Sequence, residues 1–458
     1  VIALKKKVTV ESNLQGVIVR ALVFIFLSVF TELLLWKKLT FAFQIKFNLI
    51  MMALWIPIVE LIMSYKRYFR LHRQNYWGAF MLPLILNIVI NLFIFKYLNI
   101  FGLTTILSTL IISMLIDFES GVLSAFVFST FFGLLFGFDF RYTIILFIPG
   151  VLIAFISQKI TRRIEIFFPF LLGSLLQTFL LYIFGHSRNT LDFIIIVGVN
   201  FMGILVSMGI LPFIEYITRV YSDIGLLELG NLNHPLLREL SMKAPGTYYH
   251  SMLVANMLDS SVEYIGGRTV LARIGAYFHD IGKTWKPLFF TENQKDENPH
   301  DKLSPKLSSL VLDYHVRYGQ EMAKKYRLPI LIEDMIVQHQ GTRVKQYFYK
   351  KYMETTGNKN PEFFRYPGPV PQFKEAALLM LCDITEAYAR TLKDLTPAKL
   401  SESIDNFLQS LYFEGQLDEC GLTVKELKKI KGTIIRTILA MNHKRITYPK
   451  LDEKDIKR

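Results

Sequence analysis

The placement of apolar residues constrains this chain more than any other feature. Long apolar runs crowd the sequence up to about residue 216 and then cease. In a bilayer such runs satisfy their backbone polar groups only as helices or in a closed barrel, and runs of this length and composition read as helices. Eight qualify, near 17–36, 47–64, 80–95, 100–116, 121–137, 142–157, 166–184 and 193–213. The fourth lies close to both neighbours and is the hardest to separate. Across all 458 residues the hydrophobic share is 52% and the mean hydropathy +0.33, too apolar for an ordinary soluble protein. The expectation is a membrane half followed by a soluble half, each long enough to hold a core.

Charge orients the spans. Lys5, Lys6 and Lys7 precede the first, Lys66, Arg67, Arg70 and Arg73 follow the second, and Lys159, Arg162 and Arg163 follow the sixth. With eight spans these clusters share one side with both termini, which the positive-inside rule makes cytoplasmic. The Lys37-Lys38 pair falls outside and is discordant. Trp36, Trp77 and Tyr142 at span ends suit interfacial belts. The net charge of +14 then reflects basic loops facing anionic lipid. With no recognisable DNA-binding motif or long basic tail, a nucleic-acid polymer is not expected as a partner. The first run lacks a clear small-residue cleavage site and contains Glu32, so it is not simply a signal peptide. Glu32 and Glu60 are acids inside expected spans, where burial is costly; a signalling or ligand role stands against packing or interfacial solvation. No inverted pair of broken spans suggests a transporter. Cys382 and Cys420 lie far from any CxxC pattern, as in a reducing compartment.

Beyond residue 216 the pattern is helical. A linker over 216–243 contains a helix-stopping turn at Asn231–Pro235. Met252, Leu253, Met257, Leu258 and Val262 fall on one helical face. Segments 271–278, 329–339, 376–390 and 424–441 also read as helices, with Gly341 as a C-cap. Alternating strand patterns are lacking. The expected fold class is all-α: a polytopic transmembrane helix bundle followed by a helical cytoplasmic domain.

His279 and Asp280 stand side by side at the end of the apolar run 271–278. An imidazole beside a carboxylate offers a metal two ligand types, and the second carboxylate oxygen can bridge to another metal. His250, His315, His339 and Asp383 follow at wide spacing, unlike the short-spaced pairs of a zinc finger. A single histidine on an apolar face usually packs in the core; an order of several such residues points to a metal-dependent phosphohydrolase. Asp383 sits inside an apolar helix, where an unpaired carboxylate is costly and a metal would remove that cost. Lys283 can pair with a phosphate or simply be solvated. Segment 342–373 is basic and aromatic, with Lys345, Tyr347, Tyr349, Arg365 and Tyr366. It is read either as a packed insertion or as a lid that stacks a purine.

Several motifs carry a family resemblance. They are Leu227-Glu-Leu-Gly-Asn-Leu-Asn-His-Pro-Leu-Leu237, Ala244-Pro-Gly-Thr-Tyr-Tyr-His-Ser251, Gly275-Ala-Tyr-Phe-His-Asp-Ile-Gly-Lys283, Asn298-Pro-His-Asp-Lys-Leu-Ser-Pro305, Phe364-Arg-Tyr-Pro-Gly-Pro369 and Glu414-Gly-Gln-Leu-Asp-Glu-Cys-Gly-Leu-Thr423. Together they cover essentially the soluble half. The chain resembles the HD phosphohydrolase superfamily, and more closely the bacterial seven-transmembrane HD proteins that hydrolyse cyclic di-AMP; the membrane half matches in pattern alone.

The resemblance implies domains at 1–46 (anchor and short loop), 47–215 (seven-span bundle), 216–243 (linker) and 244–458 (HD domain), in a bacterial cytoplasmic membrane. It implies two divalent transition metals, Mn or Fe. His250, His279, Asp280 and Asp383 would hold one, and Asp280 would bridge to a second held by His315 and His339. Catalytic roles fall on His279, Asp280, Lys283 and His300, and substrate contacts on Lys283, His300, Arg365 and Tyr366. The substrate would be cyclic di-AMP and the product pApA; a homodimer is compatible. Two departures stand out. Where the family has two adjacent histidines this chain has His339-Gln340, and a neutral amide is a poorer ligand than imidazole. The alternative reading is therefore a degenerate HD domain that binds nucleotide with a weakened second metal site. The family's large extracytoplasmic domain has no room in the roughly ten residues Lys37–Lys46 that join the first two spans.

Overall fold

The computed structural model describes residues 67–441 apart from 138, 187, 188, 295, 296 and 393, together with positions 46 and 50. The first two expected spans, with Glu32 and Glu60, lie outside the described residues. The chain forms two compact units, Val1–Leu229 with Arg327–Ile330, and Gly230–Tyr326 with Leu331–Arg458. Both are helical, and among the described residues the β pairing is one isolated bridge, Val344 with Arg365.

The first unit contains α1 (Arg67–Leu71), α2 (Arg73–Leu98), α3 (Ile106–Leu115), α4 (Phe118–Leu135), α5 (Phe140–Ser157), α6 (Phe167–Ile183), α7 (Thr190–Thr218) and α8 (Asp223–Leu229). Five stretches are long and apolar enough to cross a membrane: Arg73–Phe95, Phe118–Leu135, Phe140–Ser157, Arg163–Ile183 and Thr190–Thr218. The shortest of these, 18 residues, rises about 27 Å, close to a bilayer's hydrocarbon thickness. This is a multi-pass membrane protein.

The expected span 100–116 is not one helix. A 3₁₀ turn, Asn99–Gly102, gives way to an open stretch and then to α3, which has 10 residues. At about 15 Å that helix reaches half the hydrocarbon thickness. Exposed backbone groups at that depth need partners, and buried amides provide them. Asn91 Oδ1 accepts from Thr104 N at 2.7 Å, and its Nδ2 donates to Thr104 O at 3.2 Å. Gln177 Nε2 donates to Leu103 O at 2.8 Å and is itself braced by Asn200 at 3.0 Å.

Within the same unit, segment Arg327–Ile330 is tied to the end of α7. Arg219 donates from Nε to Leu328 O at 2.9 Å, and its carbonyl accepts from Ile330 N at 2.9 Å.

The second unit comprises α9 (Pro235–Lys243), α10 (Pro245–Ile265), α11 (Thr269–Phe278), α12 (Pro305–Lys325), α13 (Ile330–Gln338), α14 (Gln346–Thr356), α15 (Lys374–Ala389), α16 (Pro397–Phe413) and α17 (Val424–Met441). The expected turn at Asn231–Pro235 is present, with His234 N donating to Asn231 O at 2.8 Å. Gly341, after α13, takes a φ of +55°, as a C-cap requires. Helix α10 packs against α11, α15 and α17. Met257, Leu258, Val262, Ile274, Phe278 and Ile336 are buried in this unit. A 3₁₀ turn, Ile281–Trp285, follows α11 and lies on α12. Gly282 permits that approach: a Cβ there would sit 1.8 Å from His315 O. The glycine thus brings Asp280 and His315 together.

Candidate metal centre

Six side chains far apart in sequence converge in the second unit. His250 projects from the first turns of α10, His279 and Asp280 from the end of α11, and His315 from the middle of α12. His339 follows α13 directly, and Asp383 lies on α15. All six are buried. They form two clusters, His250 with His279 and Asp383, and Asp280 with His315 and His339, each with its ligand atoms within 4.8 Å of one another.

Asp280 serves both. Its Oδ2 is 3.2 Å from His279 Nε2 and 3.8 Å from His250 Nε2. Its Oδ1 is 3.5 Å from both His315 Nε2 and His339 Nε2. The other ring nitrogens explain the aim. His279 Nδ1 lies 2.7 Å from Ala276 O, and His339 Nδ1 2.8 Å from Ile336 O; His315 Nδ1 meets Leu312 O in the same way. A carbonyl only accepts, so each Nδ1 carries the proton and each Nε2 presents its lone pair inward. Three rings are oriented by the carbonyl three residues earlier.

His250 is held by side chains instead. Its Nδ1 lies 2.5 Å from Glu386 Oε2 and its Nε2 2.9 Å from Asp383 Oδ1. Burial disfavours charge on this ring, but the hydrogen bonds to Asp383 and Glu386 prevail and raise its pKa to about 9. Burial pushes His315 the other way, down to about 3, so it is neutral and ready to ligate. Asp280 is buried, yet the Lys283 ammonium and His279 hold it well below the usual carboxylate range.

The donor set fits divalent cations. His279 Nε2 and Asp280 Oδ1 are buried without a hydrogen-bond partner, a costly state that a metal relieves. Four carboxylates, Asp280, Glu292, Asp383 and Glu386, stand against two permanent cations, Lys283 and Arg390. The excess negative charge is what bound cations would balance.

Lys283 Nζ is 2.6 Å from Asp280 Oδ2 and 2.8 Å from Glu292 Oε1, so its charge is already engaged. Gln340 Nε2 donates to Asp383 Oδ2 at 3.0 Å, directing its amide N–H to the first cluster. Tyr366 is beside the second cluster, its ring centroid 6.4 Å from that of His315. Arg365 is turned elsewhere, with Nε 3.0 Å from Glu362 Oε1 and NH1 donating to Thr342 O at 3.1 Å. His300 packs between the rings of Phe289 and Phe348, with Nε2 3.0 Å from Phe289 O. Neither belongs to the two ligand clusters.

Two acids escaped the reading of the sequence. Glu292 accepts from both Lys283 Nζ and Thr247 Oγ1 at 2.8 Å. Glu386 orients His250, and its signal is present: Asp383-Ile-Thr-Glu386 puts two acids one turn apart just after the apolar run Ala376–Cys382.

Comparison with known proteins places these residues in context. A family described as 7TM receptor with intracellular HD hydrolase matches residues 40–222, and the HD domain matches 247–388. The cyclic-di-AMP phosphodiesterase PgpH of Listeria monocytogenes serotype 1/2a (strain 10403S) is 37% identical over 322 residues, covering 68% of this chain and 45% of that protein. PgpH of Bacillus subtilis (strain 168) is 41% identical over 256 residues, covering 56% and 36% respectively. The chain spans less than half the length of these relatives. A crystal structure of the L. monocytogenes PgpH HD domain in complex with cyclic-di-AMP shares 42% identity, covers 46% of this chain and 99% of that chain, and has a TM-score of 0.45.

Proposed function

This chain belongs to the 7TM receptors with an intracellular HD hydrolase, and on that premise we propose that it is a membrane-bound, metal-dependent phosphodiesterase hydrolysing cyclic di-AMP to pApA. The observation that carries this reading is Asp280, whose two oxygens face two separate ligand clusters. The names of the Listeria and Bacillus relatives support the substrate.

In this reading His250, His279, Asp280 and Asp383 would hold one metal, and Asp280, His315 and His339 would hold the other. Two manganese or iron ions would neutralise phosphate oxygens and supply an activated water at neutral pH. The protein's part is orientation. Backbone carbonyls fix three imidazoles, Glu386 fixes the fourth, and Lys283 with Glu292 fixes the bridging carboxylate. Lys283 therefore acts through Asp280. Tyr366 borders the centre and forms part of the wall where a nucleotide would lie. The HD domain would face the cytoplasm of a bacterial cell, as the basic loops imply.

A second reading has its own observation. Gln340 donates to Asp383, which leaves the second cluster with three protein ligands. A domain with one tightly held metal would bind the nucleotide and turn it over slowly. The full chain in lipid nanodiscs, loaded with manganese or iron, separates the two. Two metals per chain with rapid release of pApA removes the degenerate reading. One metal with binding but no turnover removes the enzyme.

A further inference from the structure

A cavity of about 370 Å³ opens beside the metal centre, a volume within the range of small-molecule sites. Leu312, Gln340, Tyr366 and Ile384 stand in its wall, and each adjoins the ligand clusters. Leu312 O meets His315 Nδ1, Gln340 donates to Asp383, Tyr366 lies beside His315, and Ile384 follows Asp383 in the chain. A ligand with one end at the centre therefore has this space for the other.

Two cations stand in the same wall, Arg343 and Lys345. Lys345 is spent within the protein. It is buried, donates to Asp313 Oδ1 at 2.7 Å and to Arg365 O at 3.0 Å, and sits 4.5 Å from the centroid of the Tyr366 ring. Arg343 is different. Its backbone is pinned at both ends, N donating to Gln340 O at 3.4 Å and O accepting from Tyr366 N at 3.0 Å. Its side chain, on a half-buried residue, makes no hydrogen bond or ion pair among the described residues. The guanidinium is nevertheless close to the centre's edge. Burial raises the pKa of the Tyr366 hydroxyl, and Arg343 is the cation that opposes this most, ahead of Lys283. One hydroxyl thus senses both the free guanidinium and the lysine of the metal centre.

A cyclic dinucleotide carries two phosphodiesters, and the metal centre takes only the one that is cleaved. The other keeps its negative charge and needs a partner outside the centre. We propose that Arg343 is a substrate-binding residue that pairs with this second, uncleaved phosphodiester. The proposal rests on the reading of the substrate as cyclic di-AMP. A guanidinium suits the task, because its planar fork meets two phosphate oxygens at once and needs no change of protonation. Arg365, the cation expected from the sequence to meet substrate, is committed to Glu362 and to Thr342 O. Glu414, the acid in the cavity wall, accepts from Ser410 Oγ at 3.1 Å and leaves Arg343 unpaired.

The test uses the full chain in nanodiscs with two ligands: cyclic di-AMP, and its analogue in which one phosphodiester is replaced by an uncharged methylphosphonate. Binding and kcat/KM are measured for wild type, Arg343→Gln and Arg343→Lys, with metal content and unfolding midpoint read on each. Wild type should favour cyclic di-AMP over the analogue by roughly ten- to a hundredfold, as charge-assisted hydrogen bonds provide. Arg343→Gln should lose that preference, chiefly through KM. Its metal content and midpoint should match wild type, because the side chain has no partner in the protein to lose. Arg343→Lys, which keeps the charge without the fork, should fall between. Equal losses for both ligands would make Arg343 structural and overturn the proposal. An unchanged preference, or loss of metal from Arg343→Gln, would overturn it as well. Wild type that neither binds nor hydrolyses cyclic di-AMP would instead remove the underlying function, and the proposal with it.

Discussion

Glu386 offers the sharpest test of the centre, because it touches a ligand without being one. Its Oε2 lies 2.5 Å from His250 Nδ1, and its Oε1 pairs with Arg390 Nε, also at 2.5 Å. The glutamate is 4% exposed, whereas the Arg390 side chain is 38% exposed. Removing the carboxylate with Glu386→Ala frees the His250 ring to rotate and makes its Nε2 less basic. A hydrogen bond to a charged group contributes about 1.5–3 kcal/mol, or roughly 10- to 150-fold in an equilibrium constant. Loss of an outer partner of a ligating histidine costs a similar 10- to 100-fold in metal affinity. Glu386→Gln keeps a neutral acceptor, so its loss should be smaller, about tenfold. Arg390→Ala removes only the half-exposed side of the network, where an ion pair adds about 0–1 kcal/mol. The assay is competition with a chelator of known affinity on the full chain, resolving the tighter site. The expected order of affinity is wild type, then Arg390→Ala close behind, then Gln, then Ala. Wild-type affinity in Glu386→Ala would refute the orienting role. So would Arg390→Ala proving as damaging as Glu386→Ala.

Three further outcomes follow from the same geometry. Gln340→His supplies the imidazole that the family resemblance implies, at the loss of one donor to Asp383; metal content and turnover should both rise, and no change in either would sink the account of that departure. Asp280→Ala removes the carboxylate shared by the two clusters; elemental analysis should find metal lost from both, and retained turnover would disprove bridging. Asn91→Ala leaves Thr104 N and O without their side-chain partner; it should destabilise the bundle by about 1–3 kcal/mol, read as a lower unfolding midpoint in detergent, and an unchanged midpoint would show that another group takes over.

Some of this was legible because the signal was local. The apolar density that makes a span, and the His279-Asp280 pair, are properties of neighbouring residues. The run at 100–116 is broken into a 3₁₀ turn and a short helix, because apolar count says nothing about where a helix stops. The break depends on Asn91 and Gln177, which are distant from Leu103 and Thr104 in sequence but bond to their backbone; amides within apolar spans were the available clue. Composition misleads in the same way at Arg365. A basic residue among aromatics looks the same whether its guanidinium meets a phosphate or, as here, Glu362 and Thr342 O. Gln340 shows the limit most plainly. The family resemblance implies an imidazole where this chain has an amide, and ligand chemistry alone predicts a weaker second site. The fold adds that this amide has a partner, Asp383, in the first cluster. On the proposed assignment, this one residue would leave one metal position a ligand short and add a hydrogen bond to a ligand of the other. The two positions should differ in affinity more than the loss of one imidazole would predict.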